Sequence, residues 1–554
     1  MDNDEGAFEI IIVGTGLTES MAAAALAKAG LKVAHIDQNS YYGAGEASLS
    51  FEELIQWQTT PRPGFSSFSR SGDTIEQART YSLSLSPSLI PSNGPLIDAL
   101  VASGVARYGG FRLIERICVY NPSGTIEPVP GSKEEIFKNK EISLVDKRRL
   151  MRFLMFAAAD FEDKKELEGH ADSPFPVFLK SVFSLNDEMT SAITYALAYC
   201  LTPTDLTLPA LHRLRRYLRS AGRYGSSPFL VGHYGSAGEI AQGFCRTAAV
   251  SGAVYILGRG VESIASSASV SPPKHIVRLA DFPEPFSCSL LISSASYSSP
   301  NATPIPPPES SAHPFSAASP NYAVARCIAI IDRALSIGAP AAPSTDSDVE
   351  PASAPSDEDA APPTPVLDTA VIVFPPSYLP GGSSAVAATV LLTGEGTMSC
   401  PRGKWILYIA LPLPDFDSTA PPDPQSLLKP YLDAVLALSP ASDTDAEPLT
   451  PLFSTFYLQH PTLPPLPAQS HSEPALASTS TPHLAPAPLP ALLPSPTRAT
   501  PPLCTPRASS GRRSGSCGPL RWSGTRTTRR RLRVFGRRWR VGMRRRRNIY
   551  DTLS

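Results

Sequence analysis

The chain has 554 residues, 42% of them hydrophobic, enough for two or three domains with a sizeable core over at least part of its length. Its formal net charge of −1 hides a split, because residues 501–554 carry sixteen arginines and one acidic residue and leave the remainder acidic by about the same amount. No uninterrupted apolar run is long enough to span a bilayer, and the first residues, MDNDEG, are not a basic region followed by an apolar one, which argues against a membrane span and secretion. The eight cysteines are scattered without a C-x-x-C pair or a Cys/His cluster at metal spacing, so free thiols in a reducing cytosol are expected and no metal site. The terminal DTLS has no cysteine four residues from the end, so the chain is not itself expected to be prenylated there.

In chain order, residues 8–13 (FEIIIV) read as a fully apolar strand, 18–30 as an alanine-rich helix ending at Gly30, and 31–36 as a second strand reaching Asp37. That is a βαβ unit. From Ile142 to about Phe161 the spacing turns helical, and similar segments follow at 175–201 and 204–221, with Thr204 and Asp205 as start signals. After Gly225 short strands return at 253–257, 276–280, 288–293, 325–331, 369–374, 386–392 and 405–410. Residues 299–321, 339–366 and 460–510 are dominated by Pro, Ser and Ala and are expected to be disordered, the first two as insertions within one domain. The fold class expected is α/β, a domain of the FAD/NAD(P)-binding type interrupted by a helical domain. The expected division is 1–120, helical 121–224, 225–464, and a tail from 465.

The turn after the first strand, GTGLTES, supplies Gly14 and Gly16 of a dinucleotide fingerprint, and Asp37 stands where an acid would bond a ribose hydroxyl. The third glycine is replaced by Glu19, a carboxylate in the first turn of the helix, where the positive end of the dipole would otherwise hold phosphate. The expectation is a dinucleotide-binding fold with no bound cofactor; a flavin-dependent oxidoreductase on the same fold is the alternative.

GTGLTES with Asp37, NSYYGAGEASLSFEEL (39–54), SLSPSLIPSNGPLIDALVASGVARYGGF (84–111) and SSPFLVGHYGSAGEIAQGFCRTAAVSGAVYILGRGVESI (226–264) resemble the blocks shared by the Rab GDP-dissociation inhibitor and Rab escort protein superfamily. The resemblance runs from about residue 8 to 460. It implies a flavoprotein-like first domain without flavin, a smaller helical second domain, and binding of GDP-form Rab GTPases and their geranylgeranyl lipid. The segments 96–111 and 127–156, with the proline/serine insertions, resemble the escort branch more than the inhibitor branch. That branch implies a non-catalytic accessory role: presenting unprenylated Rab to the α/β dimer of Rab geranylgeranyl transferase and delivering the product to membranes, from the cytosol with transient membrane contact.

Carried onto this chain, the resemblance places the Rab platform on Tyr42, Glu239, Gln242, Arg246 and Ile256. Glu239 and Arg246 suit charge-assisted bonds to a GTPase surface, and Tyr42 offers a stiff aromatic anchor; otherwise the pair meets local partners and Tyr42 only closes a turn. In 144–161 one phenylalanine is expected to dock on the transferase, Phe156 ahead of Phe153, the alternative being that both are core. Phe178, Ile193 and Leu197 are the candidates for lining a lipid cleft between helices. His212 and His233 lack a nucleophile motif, so no catalysis is assigned to them.

The tail departs from the family. Its arginine runs suit either a basic arm for anionic surfaces or, the reading preferred here, acidic codons read out of frame, and they are not taken as a sign of nucleic-acid binding.

Overall fold

The computed structural model describes residues 6–461 except 61, 63, 131–135, 137–141, 268–273, 294–321, 336–366, 415 and 439–447. The inserted segments at 299–321 and 339–366 and the tail from 465 lie outside the described residues.

The opening strand, Ile10–Val13, is completely apolar and almost fully buried, which requires cover on both faces. It lies inside a four-stranded parallel sheet of order Val254–Leu257, Val33–Asp37, Ile10–Val13, Leu290–Ser293. One face is covered by the helices Leu17–Lys28 and Ala237–Val250. The first of these buries Ala23, Ala24 and Ala27, side chains small enough for the second to approach with Phe244, Cys245 and Ala248. The opposite face is covered by a three-stranded antiparallel sheet through Val277, Leu279 and Phe286.

An eight-stranded sheet forms the other large layer, in the order Phe65–Ser71, Phe453–Gln459, Ala323–Ile331, Trp405–Leu413, Ala388–Thr393, Thr369–Phe374, Arg116–Tyr120, Ile126–Pro128. Its pairs are antiparallel apart from Thr369–Phe374 with Arg116–Tyr120. Alternate residues divide between two cores, as a period of two requires: Cys327, Ile372 and Ile409 face the helix Pro424–Leu436, whereas Ile328, Val371 and Tyr408 join a core shared with the helical region. Arg116–Tyr120 and Phe453–Gln459 were not among the expected strands; each gains at least one partner far away in sequence, and Arg116–Tyr120 also pairs with the nearby Ile126–Pro128.

The helical region consists of Leu144–Ala158, Phe175–Phe183, Asp187–Ser191, a π-turn at Ala192–Leu197, and Thr207–Ser220. It differs from the sequence reading twice. The single segment expected over 175–201 is broken at Ser184, whose φ of 53° ends one helix, and Asn186 starts the next by accepting the Met189 N–H at 2.9 Å. Asp205 does not start the last helix; it turns back to accept the Leu201 and Thr202 N–H groups and pairs with Arg213 at 3.2 Å.

All six cysteines within the described residues are buried and free, and no helix there is long and apolar enough to cross a membrane.

Candidate functional site

The glycine-rich turn organises one end of the parallel sheet. Gly14 turns with φ 98°, a conformation that favours glycine. Its carbonyl accepts from Nε2 of His35, a fully buried ring whose pKa burial pushes down to about 4, so the imidazole is neutral with its proton on Nε2. Thr15 donates to Asp37 Oδ2 through both its N–H (2.8 Å) and its hydroxyl (2.6 Å). The other Asp37 oxygen accepts the Asn39 N–H (2.8 Å) and side-chain amide (3.0 Å). Both carboxylate oxygens that would hold a ribose are thus taken by the chain itself.

The start of the Leu17–Lys28 helix is acidic. Glu46 Oε2 accepts the Leu17 N–H at 3.2 Å, and Glu19 lies over Gly16 so closely that a Cβ there would stand 2.6 Å from Glu19 Oε2. Burial raises the pKa of Glu19, Asp37 and Glu46 above the ordinary range, and the charges of Asp37 on Glu19 and of Glu19 on Glu46 add to it. A pyrophosphate needs free helix-start N–H groups and no competing anion. This set does not fit one.

The loop after Asn39 carries Tyr42 to the side of the Ala237–Val250 helix. Gly43 packs against Gly238, where a Cβ would come within 3.0 Å of the Gly238 Cα, and a Cβ on Gly238 would meet the Glu46 carbonyl at 2.8 Å. The Tyr42 ring meets Tyr255 edge-on at 5.9 Å, and Tyr255 leans on His35 at 5.0 Å. Glu239, Gln242 and Arg246, spaced three and four apart, share the outward face of the helix next to this loop. Arg246 is exposed and its guanidinium lies 4.7 Å over the ring of Tyr108, itself 60% exposed. The structure therefore puts Glu239, Gln242 and Arg246 on one helix face, sets the loop that carries Tyr42 against the start of the same helix through Gly43 and Gly238, and adds Tyr108, which the sequence reading did not single out.

Ile256 lies elsewhere. On the strand Val254–Leu257, Tyr255 points to the helices and Ile256 to the opposite face, packed on the core that holds Ile11 and Val277. It is therefore not part of this surface. A hollow of about 580 Å³ adjoins the surface, lined by Ile97, Leu100, Val101, Phe111, Leu113 and Tyr224. Leu100 and Phe111 also line the small recess beside Glu239 and His233. Its apolar residues come from three separate segments, so no local sequence pattern announces it.

In the helical region Phe153 has no exposed surface and its ring packs on Phe175 and Phe183, so it cannot reach a partner. Phe156 is partly exposed, at the rim of a cluster with Phe161, Phe178 and Phe183. Phe178, Ile193 and Leu197 are 0, 2 and 6% exposed, packed side chains rather than the walls of an open cleft. The π-turn passes through this core, and the hydroxyls of Thr190, Ser191 and Thr194 are buried there with no hydrogen-bond partner among the described residues. His212 pairs with Glu162 at 3.6 Å, and His233 sits beside Arg112 with its pKa lowered chiefly by burial. Among the described residues no group of three or more His, Cys, Asp or Glu side chains is placed to hold a metal ion.

Comparison with known proteins bears on the family and the fold. Residues 1–302 match the GDP dissociation inhibitor family. A Rab proteins geranylgeranyltransferase component A from Candida albicans is 34% identical over 45% of this chain and 40% of its own length. The Saccharomyces cerevisiae protein of the same name is 29% identical over 73% of this chain and 61% of its own. The chain thus spans between two fifths and two thirds of the length of these relatives. A solved Rab GDI from Plasmodium falciparum superposes with a TM-score of 0.53 at 19% identity, over 82% of this chain and 90% of that one, a likeness of fold. On the family match over more than half its length, this chain belongs to the GDP dissociation inhibitor family.

Proposed function

We propose that this protein is a Rab escort protein: it binds unprenylated Rab GTPases in the GDP form, presents them to the Rab geranylgeranyl transferase dimer, and delivers the lipidated product to membranes. It would work from the cytosol and carry no chemistry of its own. The observation that carries the reading is the helix face of Glu239, Gln242 and Arg246 beside the loop that carries Tyr42, a loop fastened to a dinucleotide-type turn whose polar groups are already engaged by the chain. An acid and a base near an aromatic anchor suit the switch segments of a GTPase, which relax when the γ-phosphate is gone. Relatives named component A fit the escort role, while relatives named GDP dissociation inhibitor match at similar identity and keep the inhibitor role as the alternative.

Phe156, with its exposed edge, is the residue assigned to the transferase, and Phe153 serves it from the core. The lipid would enter among Phe178, Ile193 and Leu197 by displacing packed side chains. Each buried CH₂ of a geranylgeranyl chain returns about 0.8 kcal/mol, against which the opening of that core must be set.

The test is a reconstitution. Purified protein, unprenylated Rab·GDP, the transferase dimer and labelled geranylgeranyl diphosphate are mixed, and lipid on Rab is counted. Transfer that depends on the protein is expected. Extraction of already prenylated Rab from membranes without such transfer would assign it to the inhibitor branch.

A further inference from the structure

The polar groups of the abandoned dinucleotide turn do more than fill it. Gly43, next to Tyr42, donates its N–H to both the carbonyl (3.0 Å) and the hydroxyl (3.1 Å) of Thr15. The same hydroxyl donates to Asp37, and Asp37 holds the start of the loop through Asn39, whose side-chain oxygen accepts from Arg62 at 2.9 Å. At the far end of the loop Glu46 is tied to the Leu17 N–H. The loop that presents Tyr42 is therefore fastened at its start, middle and end to the turn and helix start that in a working fingerprint would face a pyrophosphate and ribose.

We propose that Thr15 is a positioning residue for Rab recognition, acting with Asp37 and Glu46 to hold Tyr42 in register with Glu239, Gln242 and Arg246. The proposal rests on the reading of Tyr42 as a Rab contact. A buried hydroxyl that donates one bond and accepts another fixes the backbone directionally, which packing alone does not. The reach of Tyr42 is then set before a partner arrives, lowering the ordering cost of binding.

Thr15→Val keeps the shape and the backbone bonds of Thr15 to Gly43 and Asp37 but removes the two made by its hydroxyl, whereas Thr15→Ser keeps all of them. Thr15→Val is expected to weaken Rab·GDP binding about tenfold by titration calorimetry, Thr15→Ser to bind like the parent, and Tyr42→Ala to lose about thirtyfold as a buried anchor would. In a Tyr42→Ala background Thr15→Val should cost almost nothing further, the mark of a residue that acts through Tyr42. Equal cost in both backgrounds, or no cost in the parent, overturns the proposal. If Thr15→Val loses cooperative unfolding, Glu46→Leu, which removes the acceptor of the Leu17 N–H, takes its place in the same cycle, judged by the same two criteria. Amide exchange separates this idea from the reading beneath it. Thr15→Val should speed exchange at Gly43 and leave Ala248 in the neighbouring helix unchanged; unchanged Gly43 exchange overturns the mount. A parent protein that binds no Rab·GDP, yet shows the Gly43 effect, removes the function assigned to Tyr42 and leaves the mount standing.

Discussion

Two regions of the described chain, around the glycine-rich turn and among the helices of 144–220, are held by different forces. Around Thr15 and Asp37 the backbone is fixed by short, directional hydrogen bonds to buried carboxylates, and aromatic rings stand on top of that frame. In the helical region the core is a set of phenylalanines, Phe153, Phe161, Phe175, Phe178 and Phe183, crossed by a π-turn in and beside which three hydroxyls meet no partner among the described residues. Directional bonds define one geometry, whereas apolar packing tolerates rearrangement at constant volume. Under the function proposed above, the surface that recognises a GDP-form Rab would sit on the first kind of support, and the core that admits its lipid would be of the second kind.

The largest expected effect breaks the second region. Phe178→Ala removes a fully buried ring and should destabilise the protein by about 3–5 kcal/mol, read as a lower denaturant midpoint with hydrogen-exchange protection lost first across 144–220. Next, Arg246→Ala should weaken Rab·GDP binding by about 2 kcal/mol while leaving the thermal midpoint almost unchanged, since the side chain is exposed and stacks on the exposed ring of Tyr108.

A smaller effect sharpens the first region. Burial raises the carboxyl pKa values of Glu19, Asp37 and Glu46 above their ordinary 4.5, 3.8 and 4.5. The folded protein then holds these protons more tightly than the unfolded chain does. The stability this contributes is fully present below the ordinary values and is lost as pH rises through the raised ones. Glu19→Gln should flatten that slope and raise stability at pH 7 relative to pH 4 by about 1 kcal/mol at most, the partly exposed group being screened. The smallest effect returns to the helices: Thr194→Val deletes a buried hydroxyl without a partner and should stabilise by less than about 1 kcal/mol in chemical denaturation.

The fold class was legible because its signals are local: an apolar strand, an alanine-rich helix and a β-branched strand follow one another within the first forty residues. The carboxylate of Glu19 was legible for the same reason. Glu46 was not, because it reaches the same helix start from 29 residues away. Ser184 gives no sign in sequence that it adopts a left-handed φ, so one helix was read where two are found. Asp205 looks like a helix start, and only the folded position of Arg213 and the 201–202 backbone turns it the other way. The spacing of Glu239, Gln242 and Arg246 follows from the helical period, but Tyr108 joins them through tertiary approach alone. Ile256 illustrates the converse, since the alternation of a strand puts it and Tyr255 on opposite faces, one residue apart.

The order of strands in the large sheet also bears on how the chain is made. Phe65–Ser71 has as its neighbour Phe453–Gln459, and Ser69 meets Thr455 across a separation of 386 residues. At 5–20 residues per second a ribosome needs roughly 20 to 80 s between the two. Within that interval Ala323–Ile331, once emitted, lacks its partner on both edges until Trp405–Leu413 follows and on one edge until Phe453–Gln459 does, an apolar template on which other chains can add. Nascent molecules of this protein should therefore depend on a chaperone that shields β-edges until Phe453–Gln459 is delivered, and the yield of folded protein should fall when translation is slowed between residues 331 and 453.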